Sequence, residues 1–155
     1  MYCCGKDTFK IWDIREAKPA YPLKNDKKSR IDLTRATHCP DGTKYAISNK
    51  ENQISIYDRR SNLQLESLKV PFDGEDFLWD HSDSVFLVVG ETGDMLVYES
   101  AKGIPLVETI PCHSTKVTCM AIDQTNRYLA TGGEDALINL YSLEELLPLM
   151  CYHKT

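Results

Sequence analysis

The chain has 155 residues, of which 42% are hydrophobic and 26% are charged, with 8 glycines and 7 prolines. This composition excludes a disordered, collagen-like or low-complexity chain, and the length is that of one ordinary domain. The formal net charge of −5 disfavours a protein whose main function is to bind nucleic acid, because phosphate binding relies on an excess of Lys and Arg.

No stretch approaches the roughly 20 apolar residues of a membrane span, and the first six residues lack the basic start and apolar run of a signal peptide. We therefore expect a soluble protein that is not secreted. The 6 cysteines form no C-x-x-C pair, so they are expected to be reduced thiols.

An alternating apolar segment that ends in an aromatic and a polar residue recurs four times, at residues 9–13, 54–58, 95–99 and 138–142. The aromatic residues of these copies are Trp12, Tyr57, Tyr98 and Tyr141, with spacings of 45, 41 and 43 residues. Other short apolar runs lie at 33–38, 44–48, 76–79, 85–90, 117–122 and 128–132. Turn-forming residues separate these runs, so each run is predicted to be a short antiparallel strand. No segment shows the period of a long helix.

A repeat of about 40 to 45 residues with several strands per unit is typical of a β-propeller blade, and the dipeptide Trp12-Asp13 is the one after which the WD repeat is named. The predicted fold is therefore all-β, a WD40 β-propeller. Its predicted units are a half blade at 1–24, a blade at 25–69, a degenerate blade at 70–110 and the best-preserved blade at 111–155. The WD-type strand ends are Trp12, Asp13, Tyr57 and Asp58.

The fourth copy resembles the WD repeat residue by residue. His113 stands where the family has the His of its Gly-His pair, Thr131 where it has a strand Ser or Thr, Asp135 where it has the turn Asp, and Tyr141 where it has Trp. The resemblance implies that these side chains form a buried hydrogen-bonded relay that holds the turn of the blade to its strands. Such a carboxylate is tolerated only when it is well hydrogen-bonded. In the second copy, Glu51 is expected to replace the turn Asp.

The repeats amount to an incomplete arc of about three and a half four-stranded blades, whereas closed propellers have about four to eight. The outer strand of the last blade is expected within 143–152. An open arc would expose apolar faces and strand edges. The missing blades are expected from the rest of a longer chain, from a partner or from self-association.

Three stretches, at 5–15, 39–58 and 128–151, resemble one family more closely than the general WD pattern. The segment T-F-K-I-W-D-I-R is similar to the family's T-I-R-I-W-D-V-R, and the segment L-A-T-G-G-E-D-A-L is similar to its F-A-T-G-S-A-D-A-L. The segment C-P-D-G, followed by N-K-E, is similar to its S-P-D-G and G-N-K-D. The family is the THO complex subunit 3 type of WD-repeat protein, which implies a seven-blade ring in its full-length members.

The resemblance implies a nuclear, non-catalytic scaffold subunit of the THO part of the transcription and export (TREX) assembly, which couples transcription to mRNA processing and export. Partners are expected to be protein subunits of that complex, with RNA contact weak or indirect. The alternative is a generic WD40 adaptor, such as a ubiquitin ligase receptor or a trafficking or signalling scaffold. Fold alone does not decide between the two.

Two sets of residues are candidate contact surfaces. Aromatics surrounded by acids suit an interface with a basic partner, and this set is Phe72, Phe77, Trp79, Asp76 and Asp80. Phe77 and Trp79 fit an inner-strand core equally well. The candidate RNA or rim contact is basic, with a solvated loop as the alternative, and comprises Lys24, Lys27, Lys28, Arg30, Arg59 and Arg60.

No catalytic, metal or cofactor site is predicted, and we expect that the protein is not an enzyme. Cys112, His113 and Cys119 lack a nearby fourth ligand for tetrahedral zinc. Residues 80–83 offer an acid, an imidazole and a hydroxyl, but neighbours on one turn cannot easily converge on one substrate atom.

Overall fold

The structure is a computed structural model that describes residues 2–5, 8–13, 15–16, 18–22 and 33–146. In this part of the chain, strands form four antiparallel sheets, and within each sheet the strands pair in chain order. The first sheet contains β1 (Tyr2–Gly5), β2 (Thr8–Asp13) and β3 (Lys18–Pro22). The second contains β4 (Leu33–His38), β5 (Lys44–Asn49), β6 (Gln53–Asp58) and β7 (Gln64–Lys69).

The third sheet contains β8 (Gly74–Trp79), β9 (Val85–Gly90), β10 (Asp94–Glu99) and β11 (Leu106–Pro111). The fourth contains β12 (Val117–Ile122), β13 (Tyr128–Gly133) and β14 (Ile138–Ser142), and it is followed by the short helix α1 (Leu143–Leu146). Ten of the described strands therefore lie where the apolar runs predict them, whereas β1, β3, β7 and β11 lie outside those runs. Each run ends at residues that favour a turn, such as the Pro40-Asp41-Gly42 sequence between β4 and β5.

The third sheet is the most buried of the four. All of β9 is buried, as are four of the six residues of β8, because this sheet has neighbours on both faces. Its aromatic side chains pack around Phe86, whose ring centroid lies 4.6 Å from that of Trp79, 5.9 Å from Phe77 and 6.4 Å from Tyr98. The unit whose WD signature is degenerate thus carries much of the apolar core.

The sheets stand side by side through their first strands. β4 contacts β8, β8 contacts β12, and β1 contacts β4. A buried carboxylate joins three of these strands: Asp76 on β8 lies 2.7 Å from Arg35 Nη2 on β4 and accepts a hydrogen bond of 2.9 Å from the backbone N–H of Met120 on β12. The inner strands therefore follow one another as in the blades of a propeller.

The end of the fourth sheet differs from the prediction of an outer strand within 143–152. Leu143–Leu146 is helical, and Leu143 and Leu146 are both buried because residues three apart share one face of a helix. Leu and Glu also favour the helical backbone. Residues 147–152 lie outside the described residues. In the part of the chain that the structure describes, no helix has the length and apolarity required to cross a bilayer.

Candidate functional site

The four side chains predicted as the relay lie together in the fourth sheet. His113 precedes β12, Thr131 lies on β13, Asp135 lies in the turn between β13 and β14, and Tyr141 lies on β14. His113 Nδ1 is 3.0 Å from Asp135 Oδ1, and its Nε2 is 2.9 Å from Thr131 Oγ1. Because a carboxylate can only accept, Nδ1 carries the proton of its bond with Asp135, and Nε2 forms its bond with the Thr131 hydroxyl.

The carboxylate of Asp135 has further donors in the backbone, from Ser114 N–H at 3.1 Å and Leu137 N–H at 3.1 Å. Burial opposes its ionisation, but the hydrogen bonds from His113, Leu137 and Ser114 outweigh burial and lower the pKa of Asp135. Asp135 is therefore an anion at neutral pH.

Tyr141 closes the relay from the other strand. Burial, followed by its hydrogen bond with the Cys112 thiol, raises the pKa of Tyr141 to about 12, although hydrogen bonds with Asn139 and Thr131 act in the opposite direction. The phenol is therefore neutral at physiological pH. Both nitrogens of the His113 ring are already bonded within the relay, and the His113 side chain is 0% exposed. The arrangement holds β12, β13 and the turn together.

Asp80, at the turn between β8 and β9, is a second buried carboxylate with a local function. Its Oδ1 accepts from the backbone N–H of Ser84 at 2.7 Å and of Val85 at 2.8 Å, and its Oδ2 accepts from Ser82 N–H at 3.0 Å and from Asn126 Nδ2 at 3.2 Å. Asp123 accepts from backbone N–H groups in the same way at the turn between β12 and β13. Each carboxylate caps one turn.

The prediction of a protein interface at the aromatic and acidic residues is wrong, because these residues lie inside the fold. All five of its members, Phe72, Phe77, Trp79, Asp76 and Asp80, are between 1% and 4% exposed. The aromatic rings belong to the core around Phe86, and both carboxylates are bonded inside the fold. The alternative, an inner-strand core for Phe77 and Trp79, is the arrangement found.

The WD-type strand ends have local structural contacts. Tyr57 stacks on Tyr45 with ring centroids 5.2 Å apart, and Asp58 accepts from the backbone N–H groups of Arg60 at 2.9 Å and Ser61 at 2.6 Å. Trp12 is half-buried on β2, and Asp13 ends that strand.

In the second sheet, the side chain that accepts the backbone N–H groups of the turn is that of Asn49, whereas the sequence predicts Glu51 for this position. Asn49 Oδ1 accepts from the backbone N–H groups of Glu51 at 3.0 Å and Gln53 at 3.1 Å, whereas the Glu51 side chain is exposed. An Asn side chain can close a turn over its own backbone, which is the signal that would have identified Asn49 from the sequence.

Two members of the candidate RNA or rim contact are described. Arg59 and Arg60 are exposed at the turn between β6 and β7, where Arg59 Nη1 donates to the Gly42 carbonyl at 3.2 Å. The other four members, Lys24, Lys27, Lys28 and Arg30, lie outside the described residues, so this surface stays a prediction.

One group of possible metal ligands occurs among the described residues, in which the ligand atoms of Cys39, Asp41 and Asp83 lie within 4.8 Å of one another. Burial strongly raises the pKa of Cys39, which keeps the thiol protonated, and Lys44 Nζ lies 2.7 Å from Asp83. The thiol is therefore neutral, and the carboxylate of Asp83 is already paired with a lysine of the protein. Of the weaker zinc candidates, Cys112 is buried, with Sγ 3.4 Å from the Ile110 carbonyl, whereas Cys119 is exposed.

Comparison with known proteins identifies the fold. The WD domain, G-beta repeat family matches residues 104–142. The fold is similar to that of a chain in a crystal structure of the mitotic checkpoint complex, with a TM-score of 0.76 and 16% identity over 90% of this chain and 44% of that chain. The chain has the fold of an arc of a β-propeller, with a matched WD repeat at residues 104–142, which confirms the predicted fold class.

The particular resemblance predicted from the sequence is also confirmed. The chain is 30% identical over 152 residues to THO complex subunit 3 from Arabidopsis thaliana, covering 97% of this chain and 46% of that protein. It is 24% identical over 153 residues to WD repeat-containing protein AAC3 from Dictyostelium discoideum, covering 94% of this chain and 31% of that protein. The chain thus spans less than half the length of both relatives.

Proposed function

We propose that the chain is part of a non-catalytic scaffold subunit of a THO-like complex, which acts in the nucleus to couple transcription to mRNA processing and export. The observation that carries this proposal is the 30% identity to THO complex subunit 3 over 97% of the chain. An identity that extends over all the blades of the arc favours a shared architecture over a single shared repeat.

The site geometry supports a scaffold. Three side chains could do acid–base chemistry, namely His113, Asp135 and Asp80. Their hydrogen bonds are made to groups in the turns and strands of the protein itself. WD-repeat proteins generally present blade surfaces to partner proteins.

The proposal is tested by affinity purification of the tagged chain from nuclear extract, with and without ribonuclease, followed by mass spectrometry. We expect THO subunits to co-purify and to remain after ribonuclease treatment, because protein contacts hold such a complex. Recovery of no THO subunit, or their loss on ribonuclease treatment, would contradict the proposal.

A matched control separates contacts of the folded arc from adhesion of an unfolded chain. A Cβ added at Gly90 would lie 2.2 Å from the Asp73 carbonyl and 2.4 Å from the Phe72 ring, so Gly90→Ala disrupts the junction of β8 and β9. We expect this variant to recover no THO subunits.

The second candidate is an adaptor in another complex. It is favoured by a likeness to Cell division cycle 20.1, cofactor of APC complex, from Arabidopsis thaliana, which is 22% identical over 134 residues, or 86% of this chain. The same purification distinguishes the two, because subunits of a ubiquitin ligase in place of THO subunits would support the second candidate.

A further inference from the structure

A cavity of about 370 Å³ lies between the second and third sheets, on the side of the turns that follow β6 and β10. It opens between two complete four-stranded sheets, so its walls do not depend on blades beyond this chain. Its walls are largely apolar, with Lys44, Glu66 and Lys102 as the charged residues. The apolar lining consists of Ile56, Leu65, Trp79, Ala101 and Ile104.

The charge left unpaired in this cavity is that of a lysine. Lys102 is exposed and pairs with no carboxylate in the part of the chain that the structure describes. The acceptor Glu66 already receives the backbone N–H of Gly103 at 3.0 Å, and Lys44 is paired with Asp83 at 2.7 Å. A ligand that complements this cavity therefore combines an apolar group with an anionic group.

The wall formed by residues 101–104 is held in a strained conformation. Ile104 is buried and has a φ of 41°, a region that β-branched residues rarely adopt. Such strain persists only where surrounding contacts enforce it, and it is concentrated at binding sites. Here the hydrogen bond from Ile104 N–H to the Ala101 carbonyl, at 3.1 Å, closes the loop beside Trp79.

Exposed leucines lie close in the chain to lining residues of the cavity. Leu65 is 50% exposed, and Leu63, two residues earlier in the chain, is 66% exposed. Leu106, two residues after Ile104, is 52% exposed. Exposed apolar side chains next to lining residues in the chain fit an extended ligand better than a compact small molecule.

We propose that this cavity binds an extended peptide segment of a partner protein, which places an apolar side chain against Trp79 and Ile104 and a neighbouring carboxylate on Lys102. The inference rests on the proposed scaffold function and names the chemistry of one partner contact.

The test is selection of a phage-displayed library of random 12-residue peptides on the 155-residue chain. We expect enriched peptides to place an Asp or Glu within two residues of a large apolar residue. Synthetic copies should bind Lys102→Glu about tenfold more weakly, because the charge that holds the carboxylate is reversed. Lys69→Glu makes the same charge change on an exposed residue of β7 outside the cavity, and binding should stay within about twofold of the parent.

A second readout is the indole Nε1–H signal of Trp79 in a ¹H–¹⁵N correlation spectrum, assigned with Trp12→Phe. We expect it to shift on titration with an enriched peptide, because an apolar side chain then packs against the Trp79 ring. Failure to enrich any peptide, enrichment of peptides without acids, equal binding by Lys102→Glu, or an unmoved Trp79 signal would each overturn the inference. If THO subunits still co-purify with the chain in that case, only this inference falls and the proposed function stands.

Discussion

At the scale of single residues, the stability of the chain depends on carboxylates that accept backbone N–H groups at its turns. Asp80 is 1% exposed and accepts two such bonds on Oδ1 alone, from Ser84 and Val85. Asp80→Asn replaces one of the two carboxylate oxygens by a donor, so at least one of the N–H groups bonded to Asp80 loses its acceptor. We expect the free energy of unfolding at neutral pH to fall by about 1 to 3 kcal/mol in urea denaturation. Asp73→Asn, which changes a half-buried carboxylate outside this network, is the matched control and should change little.

The same residue predicts a pH dependence. Burial opposes ionisation of Asp80, but hydrogen bonds from Ser82, Val85 and Asn126 outweigh it and lower its pKa. A carboxyl group whose folded pKa is lowered stabilises the fold above the unfolded pKa of about 3.9 and loses that contribution as the pH falls towards the folded pKa. Between about pH 5 and pH 2.5, the parent should therefore lose more stability than Asp80→Asn. Parallel curves for the two proteins would contradict this assignment.

The relay gives a second prediction at this scale. Asp135→Ala leaves the His113 ring and the backbone N–H groups of Ser114 and Leu137 without their acceptor. We expect the melting temperature to fall by several degrees, as measured by circular dichroism. Glu134→Ala is the control at the adjacent position. A variant that melts with the parent would show that the relay does not stabilise the blade.

The relay residues could be predicted from the sequence because the WD pattern places each at a recognisable position in its repeat. Asp76 could not, because its partner Met120 is 44 residues away and the bond goes to a backbone N–H that any residue could provide. The local surroundings of Asp76, rich in acids and aromatics, are typical of an interface, and only packing against β4 and β12 makes them interior.

At the scale of elements, the hairpin of β13 and β14 depends on how closely the backbone approaches the relay. A Cβ added at Gly133 would lie 2.5 Å from His113 Nδ1 and 2.8 Å from Asp135 Oδ1. Gly133→Ala should therefore displace the relay and lower the melting temperature. At the neighbouring Gly132, an added Cβ would meet only Cys119 Sγ at 3.1 Å, which is the end of an exposed side chain. Gly132→Ala should be much milder, and equal effects in the two variants would contradict the account of the hairpin.

Strands were easier to predict than the end of the fourth sheet. β9 and β13 are short alternating or apolar runs between residues that form turns, so sequence alone indicates their bounds. The α1 segment, Leu143–Leu146, has only four residues, and a helical period cannot be recognised over so short a length. Its two buried leucines become informative only when the sheet beneath them is known.

At the scale of the whole molecule, the apolar core lies between the sheets, and the third sheet is buried by a neighbour on each side. The fourth sheet has no such cover among the described residues, and Ile138 and Leu140 on β14 are 81% and 68% exposed. The repeat period predicts the number and order of the sheets, because each copy carries its own strands and turns. It does not predict which buried carboxylates, such as Asp76 with its ion pair to the exposed Arg35, connect one sheet to the next.

The most direct test of the central claim is a crystal structure of the 155-residue chain. The account predicts four sheets side by side, with the carboxylate of Asp76 bonded both to Arg35 on β4 and to the Met120 N–H on β12. Two sheets packed face to face as a sandwich, or an Asp76 side chain exposed to solvent with β4, β8 and β12 apart, would contradict it.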